Sequence, residues 1–201
     1  IIGQIAFDPK VFAAQADTPY ADMKGCLDDA RKRPGKLRLG IAQPKGATHL
    51  ATLAMLHQES IDVSVVLFAG GSELATAVLG EQVDVGISGL APFLGSIDRV
   101  RFLGVAGKLK HPRIPNTKTM NEQGIPMNSG TGRVFLAPTG ISETRLEILR
   151  KGLSAICANE SFITEMQTSG NDPIWTDGKR IEAELAAFSE RAKLMIEKYE
   201  M

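Results

Sequence analysis

The chain has 201 residues, with Lys plus Arg at 23 and Asp plus Glu at 23, so no net charge selects nucleic acid or an anionic membrane surface as partner. That length accommodates one domain or two small lobes, and no apolar run approaches the roughly 18–20 residues that cross a bilayer, which argues against direct membrane insertion. No charged-then-apolar leader opens the sequence, and the abrupt Ile1-Ile2-Gly3 reads as a processed or truncated start.

In chain order, residues 1–7 and 10–15 read as two strands broken at Asp8-Pro9. Asp22 is placed to cap a helix over 23–33, with Leu27 and Ala30 on its apolar face and Pro34-Gly35 ending it. A strand over 36–41 leads into a loop over 42–47 and a helix over 48–58. A β-branched run over 65–68 meets Gly70-Gly71-Ser72 and a helix over 73–79, which Gly80 stops. Residues 83–87 form the next strand, with Ser88-Gly89 at its carboxyl end. A strand over 101–106, a proline-punctuated loop over 108–116, a short helix over 119–123 and a turn-rich stretch over 124–132 follow. A strand over 133–137 precedes a helix over 143–158 capped by Ser142, with Leu146, Leu149, Leu153 and Ile156 at helical spacing. Residues 162–168 continue helical, 169–176 are a loop or short strand, and 179–199 form a long amphipathic helix. Strands alternating with helices predict an α/β fold on a mostly parallel sheet.

Catalytic patterns are missing. His49, His57 and His111 lack metal-ligand spacing, Gly86-Ile87-Ser88-Gly89-Leu90 is not a nucleophile elbow, and there is no Walker loop or dinucleotide fingerprint. No metal, cofactor or enzymatic activity is expected. Asp28, Asp29 and Glu73 read as solvated helix carboxylates, and the run Arg31, Lys32, Arg33, Lys36 and Arg38 as a solvated helix end whose cations complement the dipole. Cys26 and Cys157 read as buried small apolar residues.

The turns are more informative. Gln43, Lys45, Gly46, Ala47 and Thr48, then Gly70, Gly71 and Ser72, then Ser88 and Gly89, each follow a strand, and a parallel sheet gathers all three turns at one edge. They offer N–H groups, hydroxyls and one lysine without a strong nucleophile, which suits holding a carboxylate rather than transforming it. The competing reading is structural: the glycines permit tight turns, and Thr48 and Ser72 are helix caps.

Several segments taken together resemble one family. They are Phe68, Gly70, Gly71, Leu79, Gly80, Gln82, Val83 and Asp84, preceded by Thr18-Pro19-Tyr20, Arg33-Pro34-Gly35-Lys36-Leu37 and His49-Leu50-Ala51, and followed by Gly124-Ile125-Pro126 and Leu136-Ala137-Pro138-Thr139-Gly140. In order and spacing they are similar to the substrate-binding proteins of tripartite tricarboxylate transporters, the Bug or TctC family. The resemblance implies a two-lobed, type II periplasmic-binding-protein-like fold. Lobe 1 would hold residues 1–10 and 138–201, lobe 2 residues 16–132, and strands 11–15 and 133–137 would cross between them. On this mapping lobe 2 is complete. Lobe 1 is partial, because the family's preceding glycine-rich carboxylate loop has no counterpart, and association or domain swapping is then expected.

The implied function is that of a periplasmic solute-binding protein. It would capture a small organic carboxylate between its lobes, close about the crossing strands, and deliver the ligand to the transporter's membrane components, with no role for nucleic acid. The resemblance adds His49 to the site by position, although it is equally suited to holding the neighbouring loop. Lys45 stands in a turn that is usually Gly/Ser-rich, where its charge would pair with an acidic ligand, while Pro44 removes a donor. Phe68 replaces a common tyrosine, and Phe93 and Phe135 read as packing residues. A second reading keeps the scaffold as a sensory or protein-interaction module without a transport role, motivated by the altered Pro44-Lys45 turn.

Overall fold

Asp22 opens the first helix as its sequence predicts, its carboxylate accepting the N–H of Gly25 at 3.0 Å. The structure, a computed structural model, describes residues 1–168, 171 and 173–199. Its elements run β1 (Gly3–Gln15), α1 (Met23–Lys32), β2 (Arg38–Ala42), α2 (Ala47–Gln58), β3 (Ser64–Phe68), α3 (Gly71–Leu79), β4 (Val85–Ser88) and, after a 3-10 stretch Ala91–Arg99, β5 (Val100–Ala106). A 3-10 turn Asn121–Gln123, β6 (Gly130–Phe135), α4 (Glu143–Cys157), α5 (Glu160–Thr168), β7 (Pro173–Asp177) and α6 (Gly178–Tyr199) follow. The chain divides into two units, one of Pro9–Gly130 and one of Ile1–Asp8 with the chain from Thr131 onward.

In the Pro9–Gly130 unit the strand order is β3-β2-β4-β1-β5. β2 lies parallel to β3 and β4, whereas β1 is antiparallel to β4 and β5. Alternation along β1 sends Phe12 and Ala14 to one face of the sheet and Val11 and Ala13 to the other. The first face is covered by α1 and α2 through Met23, Leu27, Met55 and Leu56. The second is covered by α3 and the 3-10 stretch through Leu74, Val78, Leu90 and Phe93. Glycines in β2 and β4 admit α3 closely: a Cβ at Gly86 would stand 2.7 Å from Val78 Cγ2, and one at Gly40 would strike Leu74 Cδ1.

In the other unit β7 pairs antiparallel with the first part of β1, matching Gly3 with Asp177 and Gln4 with Thr176. The Ile2 N–H donates to the Phe135 carbonyl at 3.0 Å. Among the described residues, α4 and α5 bury none, and Leu136 and Ile148 are 70% and 65% exposed.

Several expectations are corrected. The two strands expected at 1–7 and 10–15 are one, because Pro9 falls between the ladder with β7, which reaches Ala6, and that with β5, which starts at Lys10. Pro9 is matched with no residue of β7 or β5, so its missing donor interrupts neither of those two ladders. β6 starts at Gly130 rather than 133: its glycines weaken strand propensity, but the side chain of Gln4 occupies the space a Cβ at Gly132 would need. The helical turns Ala91–Arg99 are not expected from the sequence, although their apolar residues do segregate with helical periodicity. In α4, Leu149 and Ile156 lie exposed despite their helical spacing, and Phe135, at the end of β6, is 45% exposed rather than packed. Cys157 is only half-buried; Cys26 is buried, both thiols are free, and burial, with Asp29 and Asp84 nearby, pushes the Cys26 thiol up to about 12. Of the stretch expected at 169–176, Pro173–Asp177 forms β7, while 169, 170 and 172, like 200 and 201 of the expected lobe 1, lie outside the described residues.

Candidate functional site

Because β2, β3 and β4 run parallel, the turns after them emerge at one sheet edge, as the sequence predicts. The first turn is tied to the second strand end by the Gln43 N–H, which donates to the Phe68 carbonyl at 2.9 Å. Gln43 and Lys45 both take left-handed backbone, at φ 63° and 61°, and the Gly46 N–H closes the loop onto the Gln43 carbonyl at 3.2 Å. Two residues that are not glycine in this region make a loop held by its surroundings rather than by its own preference.

This loop delivers the chain into α2 with no side-chain cap at Gly46 and no acidic residue in the first turn. The first N–H groups of a helix have no intrahelical partner, and the first turn of α2 carries no acidic residue to complement them. Thr48 and His49, both buried, are presented there. Thr48 Oγ1 accepts from the Ser129 hydroxyl at 3.3 Å, and the Thr48 carbonyl accepts from Thr52 at 2.7 Å. His49 Nδ1 accepts the N–H of Lys45 at 3.1 Å, and burial holds its pKa below the ordinary 6.5. Neutral with Nδ1 accepting, the ring carries its proton on Nε2, so His49 both fixes the loop and retains a donor.

The start of α3 is different. Glu73 lies in the first turn of α3 and accepts the N–H of Ala69, one residue ahead of the N-cap Gly70, at 3.0 Å, so this helix start already carries an acidic side chain. Glu73 is exposed, as the sequence predicts, and the N-cap Gly70 itself makes no side-chain hydrogen bond. Gly71 contributes by absence of bulk: a Cβ there would lie 2.6 Å from Ser88 Oγ and 2.7 Å from Pro92 Cγ. Ser88, buried at the end of β4, is matched across the sheet with Val11 of β1. Ser72 and Lys45 are exposed.

Two residues not singled out from the sequence lie at this edge. Ser129 donates its N–H to the Ala106 carbonyl at 2.8 Å and accepts that of Lys10 at 2.9 Å, and both Ser129 and Lys10 are buried. The signal for Lys10 is a charged residue leading the apolar run Val11-Phe12-Ala13-Ala14. Ser129 sits in a turn-rich stretch where nothing distinguishes it.

The opposite edge explains other motifs. Asp84 accepts from Arg38 Nη2 at 2.6 Å, from Nε at 3.2 Å and from the Arg38 N–H at 2.7 Å, clamping the start of β2 to that of β4. Burial alone would raise the Asp84 pKa, but these Arg38 bonds outweigh it and hold the carboxyl below its ordinary range. Thr18-Pro19-Tyr20, Arg33, Lys36 and Glu81 line a cleft of about 480 Å³ beside this clamp. Tyr20 donates to Asp29 at 2.7 Å, and burial followed by that bond pushes its phenol up to about 12. In the basic run Arg31, Lys32, Arg33 and Lys36 are exposed, as expected of a solvated helix end, and part of it is also ion-paired: Arg31 meets Asp28 and Glu59, and Arg33 meets Asp29. Among the described residues, no three His, Cys, Asp or Glu side chains are grouped as metal ligands, and no helix is long and apolar enough to cross a membrane.

A family model described as "Tripartite tricarboxylate transporter family receptor" matches residues 1–201. A UPF0065 protein of Pseudomonas sp. (strain P51) is 26% identical over 166 residues, covering 81% of this chain and 49% of its own. A UPF0065 protein of Cupriavidus necator is 22% identical over 185 residues, covering 91% and 56%. The chain therefore spans about half the length of these curated relatives. A TctC solute-binding protein from Polaromonas has a similar fold, with TM-score 0.87 at 21% identity over 98% of this chain and 68% of that one. So has an R. palustris protein solved with adipate, at TM-score 0.77 and 18% identity over 98% and 67%. MatC from Rhodopseudomonas palustris, with bound malate, gives TM-score 0.64 at 19% identity over 98% and 65%.

Proposed function

The chain belongs to the tripartite tricarboxylate transporter receptor family, and on that premise we propose that it binds a small organic carboxylate at the carboxyl edge of β2, β3 and β4. Its α/β fold is that of the family's solute-binding proteins. One observation carries the reading: α2 begins with no side-chain cap and no acid in its first turn, beside the hydroxyls of Thr48 and Ser129. Backbone N–H groups at a helix start favour an anion, and the turn bearing Gly70 and Gly71 approaches Ser88 closely enough to wall the same edge.

Gln43, Gly46, Ala47, Thr48 and His49 would supply donors from the first turn, Gly70, Gly71 and Ser72 the second wall, and Ser88 and Gly89 the third. Because Glu73 already places a carboxylate in the first turn of α3, the ligand's carboxylate is assigned to α2. The relatives solved with adipate and malate support carboxylates as the ligand class. In the cell this chain would act in the periplasm and present its ligand to the membrane components of a tripartite transporter, as a receptor rather than an enzyme. Calorimetric titration of the complete protein with a panel of di-, tri- and aromatic carboxylates tests this. Saturable one-to-one binding without product formation supports it, and failure of every member of the panel to bind contradicts it.

A further inference from the structure

We propose that Ser88 selects the ligand through a second, uncharged oxygen: its hydroxyl recognises a hydroxyl group on the bound acid, so that a hydroxycarboxylate is preferred to the same acid without it. The inference rests on the binding function proposed above. Ser88 is 5% exposed, yet among the described residues its hydroxyl meets no hydrogen-bond partner. A hydroxyl buried in that way costs stability, and native structures seldom leave one unanswered. Among the described residues, the side-chain polar atom sealed from solvent without a partner is Arg150 Nε, so the Ser88 hydroxyl keeps an opening through which a ligand atom can reach it.

The topology places this hydroxyl in a crevice. The strand order sets β2 beside β4, and the chain leaves their carboxyl ends toward opposite faces of the sheet: to α2 on the face of Phe12, and to the 3-10 stretch bearing Phe93 on the face of Val11. Neighbouring parallel strands whose connections part in this way open a crevice beyond their ends, which is where α/β sheets take their ligands. Ile41 is matched with Ile87, and continuing that parallel register sets Ala42, the last residue of β2, across from Ser88 at the usual interstrand spacing of about 4.8 Å. Ser88 Oγ lies against the start of α3, since a Cβ at Gly71 would stand 2.6 Å from it. The first turn of α3 already carries Glu73, which disfavours a second full negative charge at that end. An alcohol meets Ser88 without that penalty, as donor or as acceptor. The ligand's carboxylate therefore falls on the α2 side of the crevice and its hydroxyl on the Ser88 side.

The test is calorimetric titration of the complete protein with malate and with succinate, which differ by one hydroxyl, comparing the unmutated chain with Ser88→Ala. A neutral hydrogen bond predicts that the unmutated protein binds malate roughly 3- to 10-fold more tightly than succinate. Ser88→Ala should weaken malate binding by the same factor and leave succinate binding within about 2-fold, so that the preference disappears. Should Ser88→Ala not fold, Ser88→Cys takes its place, since a thiol keeps the bulk but is a weak hydrogen-bonding group. Equal affinity of the unmutated protein for the two acids, a malate preference that survives in the variant, or an equal loss of both acids overturns the inference while leaving the binding function intact. So does an unmutated protein that binds adipate but neither malate nor succinate. An unmutated protein that binds none of the three acids, nor any other carboxylate of the panel, overturns the binding function, and this inference with it.

Discussion

The Ser129 hydroxyl donates to Thr48 Oγ1 at 3.3 Å across 81 residues of sequence, joining the stretch that leaves the sheet unit to the first turn of α2. Both residues are buried, so this bond positions the helix start on which the proposed carboxylate rests. Ser129→Ala should cost about 1 kcal/mol of stability, the usual worth of a buried neutral hydrogen bond. It should also weaken carboxylate binding several-fold, since Thr48 loses a partner that orients it. Denaturant unfolding and calorimetry check the pair of effects; a variant with full affinity would show that Thr48 needs no such support.

Gly71 tests how the turns meet. A branched side chain at this position must displace Ser88 or Pro92, and overpacking of this kind costs about 1–3 kcal/mol. Gly71→Val should therefore destabilise the fold and lower carboxylate affinity, with the second effect persisting under conditions where the variant is fully folded. Retained affinity in the folded variant would place the ligand away from Ser88.

Asp84 is expected to matter for stability and not for ligand. Asp84→Asn keeps the shape but removes the charge that Arg38 grips, at a cost of about 1 kcal/mol because the pair is partly solvated. The folded pKa of Asp84 lies below the ordinary 3.8. The unfolded state therefore binds the proton more readily, and the contribution is present above about pH 4 and lost as pH falls through the folded value. Acid unfolding of the two proteins should differ near neutral pH and converge in strong acid. An affinity loss without a stability change would contradict the structural role.

His49 makes the loop pH-sensitive. Its folded pKa is depressed below 6.5 by burial, so the unfolded state takes up the proton first as pH falls. The stability it confers is complete above about pH 6.5 and declines as pH drops toward the folded pKa, because protonating Nδ1 also removes the acceptor for the Lys45 N–H. NMR titration of the ring should give a midpoint below 6.5, and a midpoint above it would show that the ring has a charged partner.

Most elements and the gathering of three turns at one edge are legible in the sequence. Helix caps such as Asp22 and Ser142 are local chemistry, and glycine turns between β-branched runs point to parallel strands. What is not legible depends on residues distant in the chain. Pro9 reads as a break because nothing local says that its missing donor falls between two ladders. Ser129 and Lys10 join the site only through pairing across the sheet. The starts of α3 and α2, neither with a side-chain cap bond, differ by one first-turn carboxylate, Glu73, a difference that periodicity alone does not weigh.

The account stands on where the carboxylate sits. A crystal structure of the complete protein with adipate tests it most directly. The account predicts a carboxylate within hydrogen-bonding reach, about 3 Å, of N–H groups in the first turn of α2 beside Thr48. A carboxylate found instead in the cleft between Tyr20, Lys36 and Asp84 at the opposite edge would contradict it.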